Sequence, residues 1–237
     1  MHMTATRWKR CAGILGLFAV LAVLLLAAPV AAQDSMRFDE EVRELFFAGF
    51  AGNEDALERG MAICEETLEA DPDHPGALVW QASGWMFQSG MAYQEGDWAK
   101  GMALFDDATA QMDRAVSLAP DSLQTLIPRA SVYLATAPYI YDTPTRTRFL
   151  ETVVDDYTKV LAMREPYFAS LTAHSRGELL GALAEALWRL QRRDDAQVYL
   201  DRILAELPDS AYALMAERQL AEPQTIQQLT CLGCHKY

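Results

Sequence analysis

The stretch Gly177–Ser210, GELLGALAEALWRLQRRDDAQVYLDRILAELPDS, decides how the rest of the chain reads. Leu180, Leu183, Leu187 and Leu190 fall three and four residues apart, which places them on one face of a helix. Ala196, Leu200, Ile203 and Leu207 form a second stripe after the polar break Gln191–Asp195. Pro208 lacks the N–H that a continuing helix needs and ends the second segment. Small Ala184 and Ala196 mark where two antiparallel helices can touch, and bulky Leu187 and Trp188 fill the contact between them. Ser175, with Glu178 three residues on, has the pattern of a capping box opening the first helix.

The same punctuation recurs upstream. Asp71-Pro72-Asp73, Ala119-Pro120-Asp121 and the looser Glu165-Pro166-Tyr167 each end one periodic segment and begin another. Pro72, Pro120, Pro166 and Pro208 lie 42–48 residues apart, a regularity that implies stacked helix pairs. Leu57, Met61, Cys64 and Leu68 make one apolar stripe. Leu104, Ala108 and Met112 make another, and Val153, Tyr157, Val160 and Leu161 a third. No alternating run of strand length appears, so the sequence predicts an all-α fold. The expected form is an α-solenoid of about four irregular helix pairs with a C-terminal capping helix and a short tail.

On these residues the chain resembles the tetratricopeptide (TPR) repeat family, whose unit is a helix–turn–helix of 34 residues ending near a proline. Gly177–Ser210 has that length. Weaker copies read Ala82, Trp85, Ala108, Ala115, Pro120 and Ala130, Tyr133, Val153, Pro166; the weakest reads Gly60, Cys64, Pro72. The likeness spans most of residues 41–221. Two units carry extra residues, near Gln88–Asp97 and over Ala137–Thr147. In layout and compartment the chain is also similar to the T component of TRAP transporters, a periplasmic repeat protein. The resemblance implies a concave groove lined by the first helices of each pair. Val79, Met86, Phe87, Ile127, Leu134 and Trp188 are candidates to line it, with inter-repeat core as their alternative role. Through that groove a peptide, a hydrophobic ligand or a protein partner would bind. Trp80 and Trp85 lie about 140° apart around one helix, so only one of them can face the core squarely.

Composition narrows the function. The 237 residues are 51% hydrophobic and 22% charged, a globular balance. With 20 basic and 33 acidic residues the net charge is −13, which argues against nucleic acid as a partner. Arg7, Lys9 and Arg10 precede an uncharged apolar run, Cys11–Ala28, followed by Pro29 and the small residues Val30-Ala31-Ala32. Residues 1–32 therefore read as a cleaved signal peptide, with an uncleaved membrane anchor as the alternative. Cleavage takes away three basic residues and no acidic one, so the remaining chain is more acidic still. The expected location is outside the cytoplasm, in a bacterial periplasm. The repeat body spans 33–221 and the tail 222–237.

The tail carries the one sharp chemical motif, Cys231-Leu232-Gly233-Cys234-His235. Cys-x-x-Cys-His is the attachment signature of c-type haem. Two thiols with two residues between them can add to the two vinyl groups along one haem edge, and the adjacent His235 then becomes an axial iron ligand. Export and attachment agree in compartment. A Cys231–Cys234 disulfide or dithiol is the alternative, because Cys-x-x-Cys is also a redox motif. Zinc fits poorly, since Cys231, Cys234 and His235 supply three ligands where a structural site takes four. For a second axial ligand the candidates are His174, His74, Met163 and Met215. His174 ranks first because it falls between repeats, near the last unit. So short a tail cannot enclose a haem alone, so it is expected to dock around Tyr212–Leu220 or on a partner. Cys64 lies on an apolar stripe and reads as core. Asp106-Asp107, Asp155-Asp156 and Asp194-Asp195 read as helix starts or solvated faces. No nucleotide loop, nucleophile elbow or zinc-protease motif is present, and no catalytic residue is assigned. The expected function is an exported scaffold bearing one haem, in electron transfer or as the docking subunit of a redox complex. Its alternative is a binding module without haem.

Overall fold

The computed structural model describes residues 37–230. The signal segment, Cys231, Cys234 and His235 lie outside the described residues. Within them the fold is all-α. Nine α-helices follow in order: α1 Phe38–Phe50, α2 Glu54–Ala70, α3 Pro75–Glu95, α4 Trp98–Leu118, α5 Leu123–Thr136, α6 Thr143–Arg164, α7 Ala173–Arg189, α8 Arg193–Glu206 and α9 Ala211–Ala221. Short 3₁₀ turns, Ala137–Tyr139 and Glu165–Ser170, flank α6.

All four prolines expected as breaks fall between consecutive pairs: α2/α3, α4/α5, α6/α7 and α8/α9. Helix starts are held by side-chain caps. Asn53, Asp97, Asp142 and Ser210 each accept a hydrogen bond from a backbone N–H of the first turn, which would otherwise have no partner. His74 does the same through Nδ1, 3.0 Å from the Ala77 nitrogen, so this histidine is a cap. Helix α7 departs from the sequence reading. It begins three residues before the expected capping box, with Thr172 as its cap and the Ser175 N–H donating to the Thr172 hydroxyl at 3.1 Å. Glu178 is thereby released for another contact.

Within each pair the helices run antiparallel. In the second pair the Ser89 hydroxyl donates to the Gly101 carbonyl at 2.7 Å, while Gln111 reaches back to Gln81 at 2.7 Å. The extra residues near Gln88–Asp97 do not loop out. They lengthen α3 and α4, and Gly96, at φ 84°, makes the left-handed turn between them. Odd-numbered helices also pack on one another in sequence, α1 on α3, α3 on α5, α5 on α7 and α7 on α9, forming one layer through the stack. Helices α3 and α7 lie deep in this layer and are buried on nearly every side.

The core runs through all four pairs. Ala184 and Ala196 are fully buried, as their small size requires at a helix contact. Of the candidate groove residues, Val79, Met86, Leu134 and Trp188 are buried core, and Phe87 and Ile127 pack half-buried against it. Trp80 is core too, its ring 5.2 Å from that of Phe46, while Trp85 is half-buried. The buried ones among them fill the space between helices, while Trp85, Phe87 and Ile127 keep part of their surface exposed. Asp156 also differs from expectation. It is buried and takes a two-pronged ion pair from Arg129, at 2.7 and 2.8 Å. Arg129 Nη1 continues to Asp113 on α4 at 3.1 Å, joining the second pair to the third.

Candidate functional site

The face of α7 that meets α9 carries His174, Glu178, Gly181 and Glu185 at intervals of four, three and four residues, one continuous stripe of the helix. Gly177 borders the same stripe. Two things lie against it: the Tyr212 ring of α9, and the beginning of the tail.

Beyond α9 the chain turns at Pro223, with the Thr225 N–H donating to the Glu222 carbonyl at 3.0 Å. Thr225–Thr230 has no helical or strand pattern of its own, so its backbone polar groups need partners from the body. Gln219, fully buried on α9, supplies two. Its amide nitrogen donates to the Thr225 carbonyl at 3.0 Å, and its amide oxygen accepts the Gln227 N–H at 2.8 Å. Glu185 supplies the third: its Oε2 accepts the Leu229 N–H at 2.8 Å. The Leu229 side chain is buried, and its carbonyl oxygen sits so close over Gly181 that a Cβ there would overlap it. Thr225–Leu229 therefore docks on the last helices, reaching both α9 and α7.

Glu185 is a carboxylate in the core of the layer, 3% exposed. Its Oε1 takes two hydrogen bonds from Arg189, at 3.0 and 2.8 Å, leaving Oε2 for the tail. Burial pushes its pKa up, opposed by the Arg189 charge and the Leu229 N–H. Sequence reading missed Glu185, Gly181 and Gln219. The available signal was a glutamate between Ala184 and Ala186 on a helix apolar all round, in register with a glycine four residues before.

His174 lies in the first turn of α7, not in a loop, and is exposed at the surface. Its Nδ1 is 2.9 Å from the Tyr212 hydroxyl, which is itself 2.7 Å from Glu178 Oε1. A carboxylate only accepts, so the single hydroxyl proton of Tyr212 goes to Glu178. Tyr212 then accepts from His174, which places a proton on Nδ1. The remaining candidates are less suited. His74 spends a nitrogen as a helix cap, Met163 lies in the last turn of α6, and Met215 packs half-buried against the core.

Cys64 is fully buried, and burial with nearby Glu65 raises its thiol to about 12, so it is inert core. Among the described residues no group of three or more His, Cys, Asp or Glu gathers as a metal site, and no helix is long and apolar enough to cross a membrane. No family model, curated protein or solved structure matches this chain.

Proposed function

We propose that this chain is an exported, TPR-like scaffold that carries one covalent haem of the c type, held by Cys231 and Cys234 with His235 on the iron. It serves as an electron carrier or as the docking subunit of a periplasmic redox complex. The observation that carries the reading is the order Cys231-Leu232-Gly233-Cys234-His235 two residues after a backbone anchored in the core by Glu185. Bound there, the group supplies reversible one-electron transfer.

The chain's own residues have distinct roles in this reading. Glu185 and Gln219 bind the tail backbone and keep it on the body, which gives a short tail the support it lacks. The buried Leu229 excludes water from that junction. His174, held through Tyr212 and Glu178, would be the histidine of the repeat body to ligate the iron. The rigid helical layer holds these groups and does no chemistry itself, in keeping with a site grafted onto a scaffold.

The test is intact-mass spectrometry of the full chain exported from cells with haem-attachment machinery. A start at Gln33, the added mass of one haem, and loss of that mass in Cys231→Ala and Cys234→Ala are the expected results. A protein lacking only the mass of two hydrogens, with no haem, would instead identify a Cys231–Cys234 disulfide on a binding module and end the haem reading.

A further inference from the structure

We propose that the face of α7 and α9 carrying Gly181, Glu185 and Gln219 is a binding site for an extended, uncharged segment of a partner protein bearing one leucine, and that Thr225–Leu229 is the chain's own occupant of it. The site stands apart from any haem and is built only from α7, α9 and Thr225–Thr230.

The body meets this segment at every second residue. Gln219 donates to the Thr225 carbonyl at 3.0 Å and accepts the Gln227 N–H at 2.8 Å, and Glu185 accepts the Leu229 N–H at 2.8 Å. Ile226 and Gln228, which lie between, are exposed. Alternation of this kind is the repeat of extended chain, whose side chains point to opposite faces in turn. The atoms that are met belong to the backbone, which every sequence carries, so main-chain hydrogen bonds hold a segment and side-chain fit selects it. Two features do the selecting. The Leu229 side chain is buried, and Gly181 leaves room for the Leu229 carbonyl where any Cβ would overlap it. Charge selects as well. Residues 224–230 carry none. Arg189 already holds Oε1 of the buried Glu185, so a charged residue brought into this place would be buried without a partner. With no helix or strand of its own, the segment depends on these groups to stay, and another segment that satisfies them can replace it. Attachment to α9 gives the resident segment the advantage of high local concentration. A second copy offers the same sequence without that advantage. A partner with a better-fitting segment, or one already docked on the repeat body, overcomes it.

The probe is a labelled synthetic peptide of residues 224–230, Gln-Thr-Ile-Gln-Gln-Leu-Thr, blocked at both ends. It is titrated against the full chain, with reductant present, and read by fluorescence anisotropy. In the chain carrying Leu229→Asp the resident segment leaves, because the new carboxylate cannot be buried unpaired, and the peptide should bind saturably. Wild type should bind it ~10-fold or more weakly, since the resident segment competes from a high local concentration. In the Leu229→Asp background, Glu185→Ala should cut affinity ~10-fold, because it leaves a buried N–H without an acceptor. Glu185→Gln should cost much less, since glutamine keeps an acceptor. A peptide with the same Leu229→Asp change should not bind. Circular dichroism checks the helices, and Leu229→Ala takes the place of Leu229→Asp should helicity fall. Equal affinity in wild type and Leu229→Asp, or an affinity untouched by Glu185→Ala, would overturn the site. Saturable binding to Leu229→Asp with none to wild type would also overturn the proposal, making the segment a fixed part of the fold. A wild-type chain that runs as a dimer and becomes monomeric in Leu229→Asp would replace the partner with a second copy as the occupant.

Discussion

Gly177 on α7 lies directly beneath the ring of Tyr212, and a Cβ built there overlaps three of its ring atoms. The ring cannot slide aside freely, because its hydroxyl is tied to both His174 and Glu178. Gly177→Ala must therefore push the ring and α9 outward by about an ångström to reach ordinary carbon–carbon contact near 3.5 Å. Overpacking of this kind costs about 1–3 kcal/mol, and the two hydrogen bonds are worth roughly 1 kcal/mol each. Against this, alanine improves the interior of a helix over glycine by about 1 kcal/mol. The clash prevails, with a net loss of about 1–3 kcal/mol and a fall in melting temperature of roughly 3–10 °C for a domain of this size. Thermal unfolding followed by circular dichroism measures it. The decisive comparison uses Tyr212→Ala as background. With the ring gone only the helix term remains, and Gly177→Ala should raise the melting temperature there. A rise in the wild-type background, or an equal fall in both, would refute the reasoning.

Ala184 is fully buried in the last pair, so Ala184→Leu should lower stability by about 1–3 kcal/mol, read by the same unfolding assay; an unchanged midpoint would mean the helix register is misassigned. Glu185→Gln tests a buried charge whose pKa is raised on folding. A raised carboxyl takes up a proton on folding, so its stabilisation is fullest below its unfolded pKa of about 4.3 and is lost as pH rises through the folded value. The stability of the wild type relative to Glu185→Gln should therefore fall as pH rises above about 4.3 in paired denaturation series, and a difference that grows with pH would contradict it.

The fold was legible because its signals are local. Prolines mark the joints between pairs, and three- and four-residue spacings mark the faces, so helix pairing follows from short connections. Groove residues were not legible, because a large apolar side chain on a first helix looks the same whether it lines a cleft or fills the space between repeats. Val79, Met86, Leu134 and Trp188 do the second. Asp156 and Glu185 were missed for a related reason. A charged residue reads as solvated until its distant partners are known, and these include Arg129 on the preceding helix for Asp156 and, beside the local Arg189, a backbone N–H 44 residues away for Glu185. The tail has no periodicity to read at all; its course is written in the side chains of Gln219 and Glu185, not in its own sequence.

The joint between the second and third pairs bears on how the array comes apart. Phe105 of α4 stacks on Phe149 of α6, which stacks on Tyr133 of α5, while Asp113 of α4 receives Arg129 and the Tyr133 hydroxyl from α5. A linear array whose units touch only neighbours can peel from an end, one unit at a time, unless the coupling between neighbours exceeds what each unit lacks alone. Here that coupling at the second–third seam combines aromatic stacking with an ion-pair chain. Opening it strips an aromatic stack and leaves the Arg129–Asp156 pair without its third member. The second and third pairs are therefore expected to open together, with fraying starting at the ends, one of which is where the tail is fastened.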